Sequence, residues 1–97
     1  MIADIILKKD DYYVYDEKGR QIKCVPENAY GELLGFNGDF EIFLNNDSYY
    51  IYDENFRLIS TRRASPIGDF IKILPTGAFQ FTRNGTIYEY DEHFMRF

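Results

Sequence analysis

The residues best suited to recognition in this chain are tyrosines, and they recur. Tyr13 and Tyr15, Tyr50 and Tyr52, and Tyr88 and Tyr90 stand two apart, each pair followed at once by Asp-Glu. A tyrosine joins a flat apolar ring to a hydroxyl, which suits sugar stacking or burial in a protein interface, where Tyr is enriched. The plainer reading is that Tyr simply suits half-buried strands. The acid pairs Asp16/Glu17, Asp53/Glu54 and Asp91/Glu92 invite a calcium or paired-acid reading. Calcium gathers several oxygens from alternating loop positions, and adjacent acids in a tight turn do not supply them. Turn initiation is the favoured role. Nucleophilic catalysis needs a nucleophile, a base and an orienting group together. The chain has one Cys, Cys24, and one His, His93, far apart in sequence, which is also too few for a zinc site. Arg57, Arg62 and Arg63 form the only basic cluster, a candidate patch for an acidic partner. The expectation is a chain that is not an enzyme, with no metal and no cofactor.

The elements that position these residues follow from their spacing. Residues 9–22 (KDDYYVYDEKGRQI), 46–59 (NDSYYIYDENFRLI) and 84–97 (NGTIYEYDEHFMRF) align without gaps, with anchors 37 and 38 residues apart. A fixed period in this range marks a repeated supersecondary unit. On a strand, alternate side chains share a face, so Tyr13 and Tyr15 share one. Between them, and at the equivalent places, lie Val14, Ile51 and Glu89, which predicts a second face that is buried in two copies and wetter in the third. A preceding strand is expected over 5–8, 40–44 and 78–82, with Ile6, Phe43 and Phe81 equivalent. Two-residue turns join each pair of strands at Lys9-Asp10, Asn46-Asp47 and Asn84-Gly85. Asn-Gly is the strongest hairpin signal of the three, because both residues tolerate positive φ. Asp opens a second turn at 16–19, 53–56 and 91–94 by accepting backbone N–H groups, and a third strand is expected at 20–24, 57–60 and 95–97. An extra leading strand is expected at 33–36 and 70–74, with no counterpart in the first copy. The joints at 25–32 and 61–69 hold Pro26, Gly31, Pro66 and Gly68. No segment of ten residues keeps a helical period, although residues 27–34 have room for one helical turn.

An antiparallel four-stranded unit of about 40 residues resembles a β-propeller blade. Tyr13-Val14-Tyr15-Asp16-Glu17-Lys18-Gly19-Arg20 is also similar to the YD repeat, Tyr-x-Tyr-Asp-x-x-Gly-Arg. The later copies depart from that pattern, with Phe56 and Phe94 in place of the glycine and Met95 in place of the arginine. The resemblance covers about eight residues per copy, implies a structural repeat, and carries over no catalytic residue. The fold expected is all-β: one domain over residues 1–97, an antiparallel meander of three propeller-blade-like hairpin units at about 1–24, 32–60 and 70–97. Three blades cannot close a ring, since rings have roughly 4–8. The units therefore form either an open or rolled sheet or a half-ring that dimerises.

Composition bounds the function. Ninety-seven residues with 45% apolar and 19% aromatic content supply a core for one small domain. A net charge of −5 argues against a nucleic-acid surface. Residues 1–48 hold ten acids and five bases, whereas 49–97 hold six of each. A lone cysteine excludes an intrachain disulfide. The first eight residues read neither as a signal peptide nor as the start of the roughly 20-residue apolar run that spans a bilayer. A cytoplasmic location and no membrane partner are expected. The leading functional reading is a non-catalytic protein-interaction module presenting sheet edges or a tyrosine-rich face to a protein partner, itself included. The alternatives are carbohydrate or small-ligand binding at repeated Tyr-lined pockets, and a small acidic inhibitor of a nucleic-acid-binding surface.

Overall fold

The computed structural model describes all residues, 1–97. Ten strands and two single-turn helices follow in the order β1 (Ile2–Lys8), β2 (Asp11–Asp16), β3 (Gln21–Pro26), α1 (Glu27–Tyr30), β4 (Glu32–Phe36), β5 (Phe40–Asn45), β6 (Ser48–Asp53), β7 (Leu58–Arg63), α2 (Ala64–Ile67), β8 (Asp69–Ile73), β9 (Phe79–Arg83) and β10 (Thr86–Tyr90). They make three separate antiparallel sheets, β1-β2-β3, β4-β5-β6-β7 and β8-β9-β10. The expectation of one continuous open or rolled sheet is corrected here. α1 and α2 occupy the joints, and each ends on a glycine at positive φ, Gly31 (89°) and Gly68 (106°), which redirects the chain into a new sheet. A Cβ on either glycine would overlap a backbone carbonyl, Leu44 O or Thr82 O.

Each sheet is built around a two-residue hairpin whose central residues both have positive φ: Lys9 and Asp10, Asn46 and Asp47, Asn84 and Gly85. That is the type I′ geometry anticipated from Asn84-Gly85. The Asp turns also form as expected. Asp16, Asp53 and Asp91 each accept two backbone N–H groups, from the residues two and four positions on, at 2.8–3.0 Å. The third residue after each Asp has positive φ: Gly19 (75°), Phe56 (60°) and Phe94 (58°). Left-handed backbone costs a non-glycine residue roughly 1–2 kcal/mol. The two Phe rings offset that cost because both are buried between sheets.

Two cores separate the sheets. One joins Ile2, Ile5, Tyr12, Val14 and Val25 of the first sheet to Phe43 and Phe56 of the second. The other joins Ile42, Tyr49 and Ile51 of the second to Phe79, Phe81, Tyr90 and Phe94 of the third, with Ile67 of α2. Neighbours Ile42 and Phe43 both have 0% exposure, so β5 is covered on both faces. The middle sheet is the filling of a three-layer stack. Phe43 is the aromatic hub of the first core, 5.5 Å from Tyr12, 5.5 Å from Tyr30 and 5.6 Å from Tyr52 between ring centroids. Phe81 has the same place in the second, 5.1 Å from Tyr49, 5.5 Å from Phe70 and 5.5 Å from Tyr90.

Some boundaries differ from expectation. Arg20 belongs to the Asp16 turn, which holds its N–H, so β3 begins at Gln21. The strand expected at 95–97 is reduced to a single bridge between Tyr90 and Arg96, with Phe97 N–H bonded to Glu89 O at 3.0 Å.

Candidate functional site

The six tyrosines singled out from the sequence do not share a surface. Strand alternation turns Tyr12 and Val14 into the first core, so Tyr13 and Tyr15 stand on the opposite, outward face of the first sheet. There Tyr13 lies between Ile6 of β1 and Cys24 of β3 in register. The Cys24 thiol raises the Tyr13 phenol above its ordinary pKa, with burial adding to the shift. Tyr50 and Tyr52 occupy the same register positions in the second sheet but face inward, stacked 6.5 Å apart, with Tyr52 also stacked 6.3 Å from Phe56. Burial raises the Tyr52 pKa. Tyr90 is buried beside Phe81 and Phe94. Tyr88 is half-buried, with the Arg83 and Arg96 guanidinium groups 4.5 Å and 5.0 Å from its ring centroid. The row is therefore free on the first sheet and built into interfaces on the other two.

Two tyrosines outside those six carry more of the architecture. Tyr12 Oη donates to Gly31 O at 2.8 Å and accepts the Leu33 N–H at 3.0 Å. Tyr49 Oη donates to Gly68 O at 2.6 Å and accepts the Phe70 N–H at 3.2 Å. Each hydroxyl fastens the start of the following sheet, and burial raises both phenol pKa values. The signal was in the alternation: Tyr12 and Tyr49 fall on the face opposite the Tyr-x-Tyr pairs. The equivalent position in the third sheet is Ile87, which has no hydroxyl.

The stack ends in two unlike faces. On the first sheet, Ile6, Tyr13 and Tyr15 stand where the second sheet has Phe43, Tyr50 and Tyr52. On the third, Gln80, Thr82, Ile87 and Glu89 stand where the second sheet has Ile42, Leu44, Tyr49 and Ile51. The apolar residues Ile71, Ile87 and Phe97 remain exposed around that polar centre. Glu89 and Phe97 line two shallow cavities there, of about 350 and 430 Å³.

Glu41 was not anticipated. It lies on the β5 face that packs against the first sheet, has 0% exposure, and neither carboxyl oxygen has a hydrogen-bond partner. Burial, reinforced by Asp53 and Glu54 and opposed by Lys23, pushes its pKa from 4.5 to about 9. At neutral pH it is a protonated carboxylic acid. Its register equivalent in the third sheet is the buried Phe79. None of the three cavities reaches it. A period-based reading had no means of finding one acid among apolar strand residues.

The remaining candidates are dispersed. Cys24 is on β3 of the first sheet and His93 in the exposed turn after β10, with the second sheet between them. Arg57 sits in the Asp53 turn, whereas Arg62 and Arg63 lie at the far end of β7, about 16 Å away at roughly 3.3 Å per residue. Arg62 lies over the Phe94 ring at 5.9 Å. Arg63 lines an open cavity with Asp47 and Asp69. No helix is long and apolar enough to cross a membrane. No family model, curated relative or solved structure matches the chain.

Proposed function

We propose that this chain is a non-catalytic protein-interaction module that docks a partner on the outer end of its first sheet. The single observation that carries this reading is the inequality of the two end faces. Stacked repeats need a polar outer surface where the stack stops, and Gln80 and Glu89 supply polar groups at the centre of one end. The other end keeps Ile6 (46% exposed) with Tyr13 and Tyr15, in the register by which the second and third sheets each receive their predecessor. Aromatic residues with a polar tip are what protein interfaces favour.

The finer architectural reading, a propeller-like stack of units with a period near 37, belongs to the same proposal. Its support is the recurrence of the Tyr12 and Tyr49 bonds at equal spacing. A six-sheet ring of two chains would also bury Gln80 and Glu89, which weighs against closure. The carbohydrate reading has less support, because only one tyrosine row has an open face.

The test is a photo-crosslinking amino acid placed at Tyr13, and separately at Thr82 on the opposite end, in cells making the protein. Discrete protein adducts at position 13 and none at position 82 support the reading. Adducts at neither position, or equally at both, sink it. Light scattering on the purified chain separates self-association from a foreign partner.

A further inference from the structure

The first sheet differs from the other two at its edge. β5 and β9 each have a leading strand beside them, β4 and β8, whereas β1 has β2 on one side and nothing on the other. The edge is tethered only at its start, where Ile2 N–H bonds to Gly38 O at 3.1 Å. Ile5 N–H is capped by its neighbour's carboxylate, Asp4 Oδ1, at 2.9 Å. A short acidic side chain bonds a nearby backbone N–H in this way, and no neighbouring strand competes for that N–H here. Ladder bonds alternate in direction along a strand, so Leu7 N–H points to the same open side as Ile5 N–H.

The covered edges supply the template. β4 reads ELLGF and β8 reads DFIKI. Both run antiparallel in one register: Glu32 opposite Leu44 and Leu33 opposite Phe43, Asp69 opposite Thr82 and Phe70 opposite Phe81, with an irregularity at the third residue of each. Transferred to β1, that register sets an acid opposite Leu7. Lys8 and Lys9 follow at once, where the covered edges continue as Asn45-Asn46 and Arg83-Asn84. The strands also constrain each other sideways. A Cβ on Gly35, fourth in β4, would lie 3.2 Å from the Phe70 ring, second in β8. The fourth residue of an added strand would meet Leu33 in the same way, so a small side chain fits best.

We propose that the free edge of β1 binds one extended segment of another polypeptide by strand addition, with an acid first, apolar residues second, third and fifth, and a small residue fourth. Main-chain bonds supply attraction in this mode and alternate side chains supply selectivity. The inference rests on the interaction-module reading and names its partner's chemistry. This chain's own leading strands, β4 and β8, are committed to its own sheets, and of the two only β4 carries the small fourth residue.

The experiment titrates the full chain into a fluorescein-labelled peptide with the sequence of residues 31–37, read by anisotropy and by amide exchange. The peptide of residues 68–74, whose fourth strand residue is Lys72, is expected to bind more weakly. Binding that slows exchange at Ile5 and Leu7, weakens about tenfold when the peptide's acid becomes Lys, and recovers with that Lys peptide on the Lys8→Glu/Lys9→Glu chain establishes the site. Leu7→Pro should abolish binding, since edge proline removes only an outward N–H. No change at the two amides up to millimolar peptide overturns the inference. So does slowed exchange at Leu7 that grows with chain concentration without peptide, which would make the occupant a second copy. Position-13 crosslinks persisting beside a failed titration would leave the interaction module standing and remove only the strand.

Discussion

Glu41 is the residue that most burdens this fold. A carboxylic acid whose pKa is raised to about 9 keeps its proton in the native state, while the unfolded chain releases it near 4.5. Unfolding between those values therefore releases a proton, and stability falls as pH rises, by up to about 1.4 kcal/mol per pH unit. At pH 7 the accumulated loss is about 3 kcal/mol on this group alone. Urea titrations at pH 5, 7 and 8.5 should show the midpoint dropping with pH, and Glu41→Gln should flatten that dependence. Glu41→Met should be more stable than the native chain at pH 8; equal or lower stability would mean that the carboxyl finds a partner. Tyr12→Phe and Tyr49→Phe each remove a hydroxyl that serves two backbone groups. Each should cost about 1–3 kcal/mol in the same titrations. Sequence reading finds the tyrosine rows by their spacing, Tyr12 and Tyr49 among them, but does not separate the fastening residue from the Tyr-x-Tyr pair. Tyr-x-Tyr is conspicuous, whereas the fastening residue is merely the one before it.

At the level of elements, strands and turns were legible because short-range chemistry fixes them. Asn84-Gly85 is a turn signal by itself, and Lys9-Asp10 and Asn46-Asp47 follow it into the same backbone. The Phe substitutions at the glycine position of the Asp turn were legible as departures but not as structure. Their positive φ is sustained by burial between sheets, which no local rule contains. α2 escaped notice because four residues including Pro66 carry no helical period. The glycines that end these helices are the sharpest element-level test. Gly31→Ala and Gly68→Ala place a methyl against a backbone oxygen at positive φ. Each should lower stability by about 3 kcal/mol or more in thermal unfolding. A loss below about 1 kcal/mol would mean that the joint relaxes freely.

At the scale of the molecule, the number of sheets and the sides on which they pack were not legible. A period of 37 residues suits one rolled sheet or three stacked ones. The choice turns on the middle copy, whose Ile42 and Phe43 are both fully buried and so cancel the one-sided alternation from which a face is normally read. Phe43→Ala and Phe81→Ala should each cost about 3–5 kcal/mol, and they should differ in where the damage appears. Hydrogen exchange in the Phe43 variant should quicken in β1–β3 before β8–β10, and the Phe81 variant should show the reverse. Uniform acceleration in both would mean that the two cores melt as one.

The tyrosine fastening has a further consequence. Tyr12 lies 19 residues before Gly31, and Tyr49 lies 19 before Gly68. Residues 27–63 thus contain one complete donor and one complete acceptor, each aimed at a different neighbour. A second copy of that segment spliced in after Arg63 would meet Tyr49 with its own Gly31, and offer its own Tyr49 to Gly68. A chain lengthened in this way should fold with both end sheets unchanged, as amide exchange in β1–β3 and β8–β10 would show.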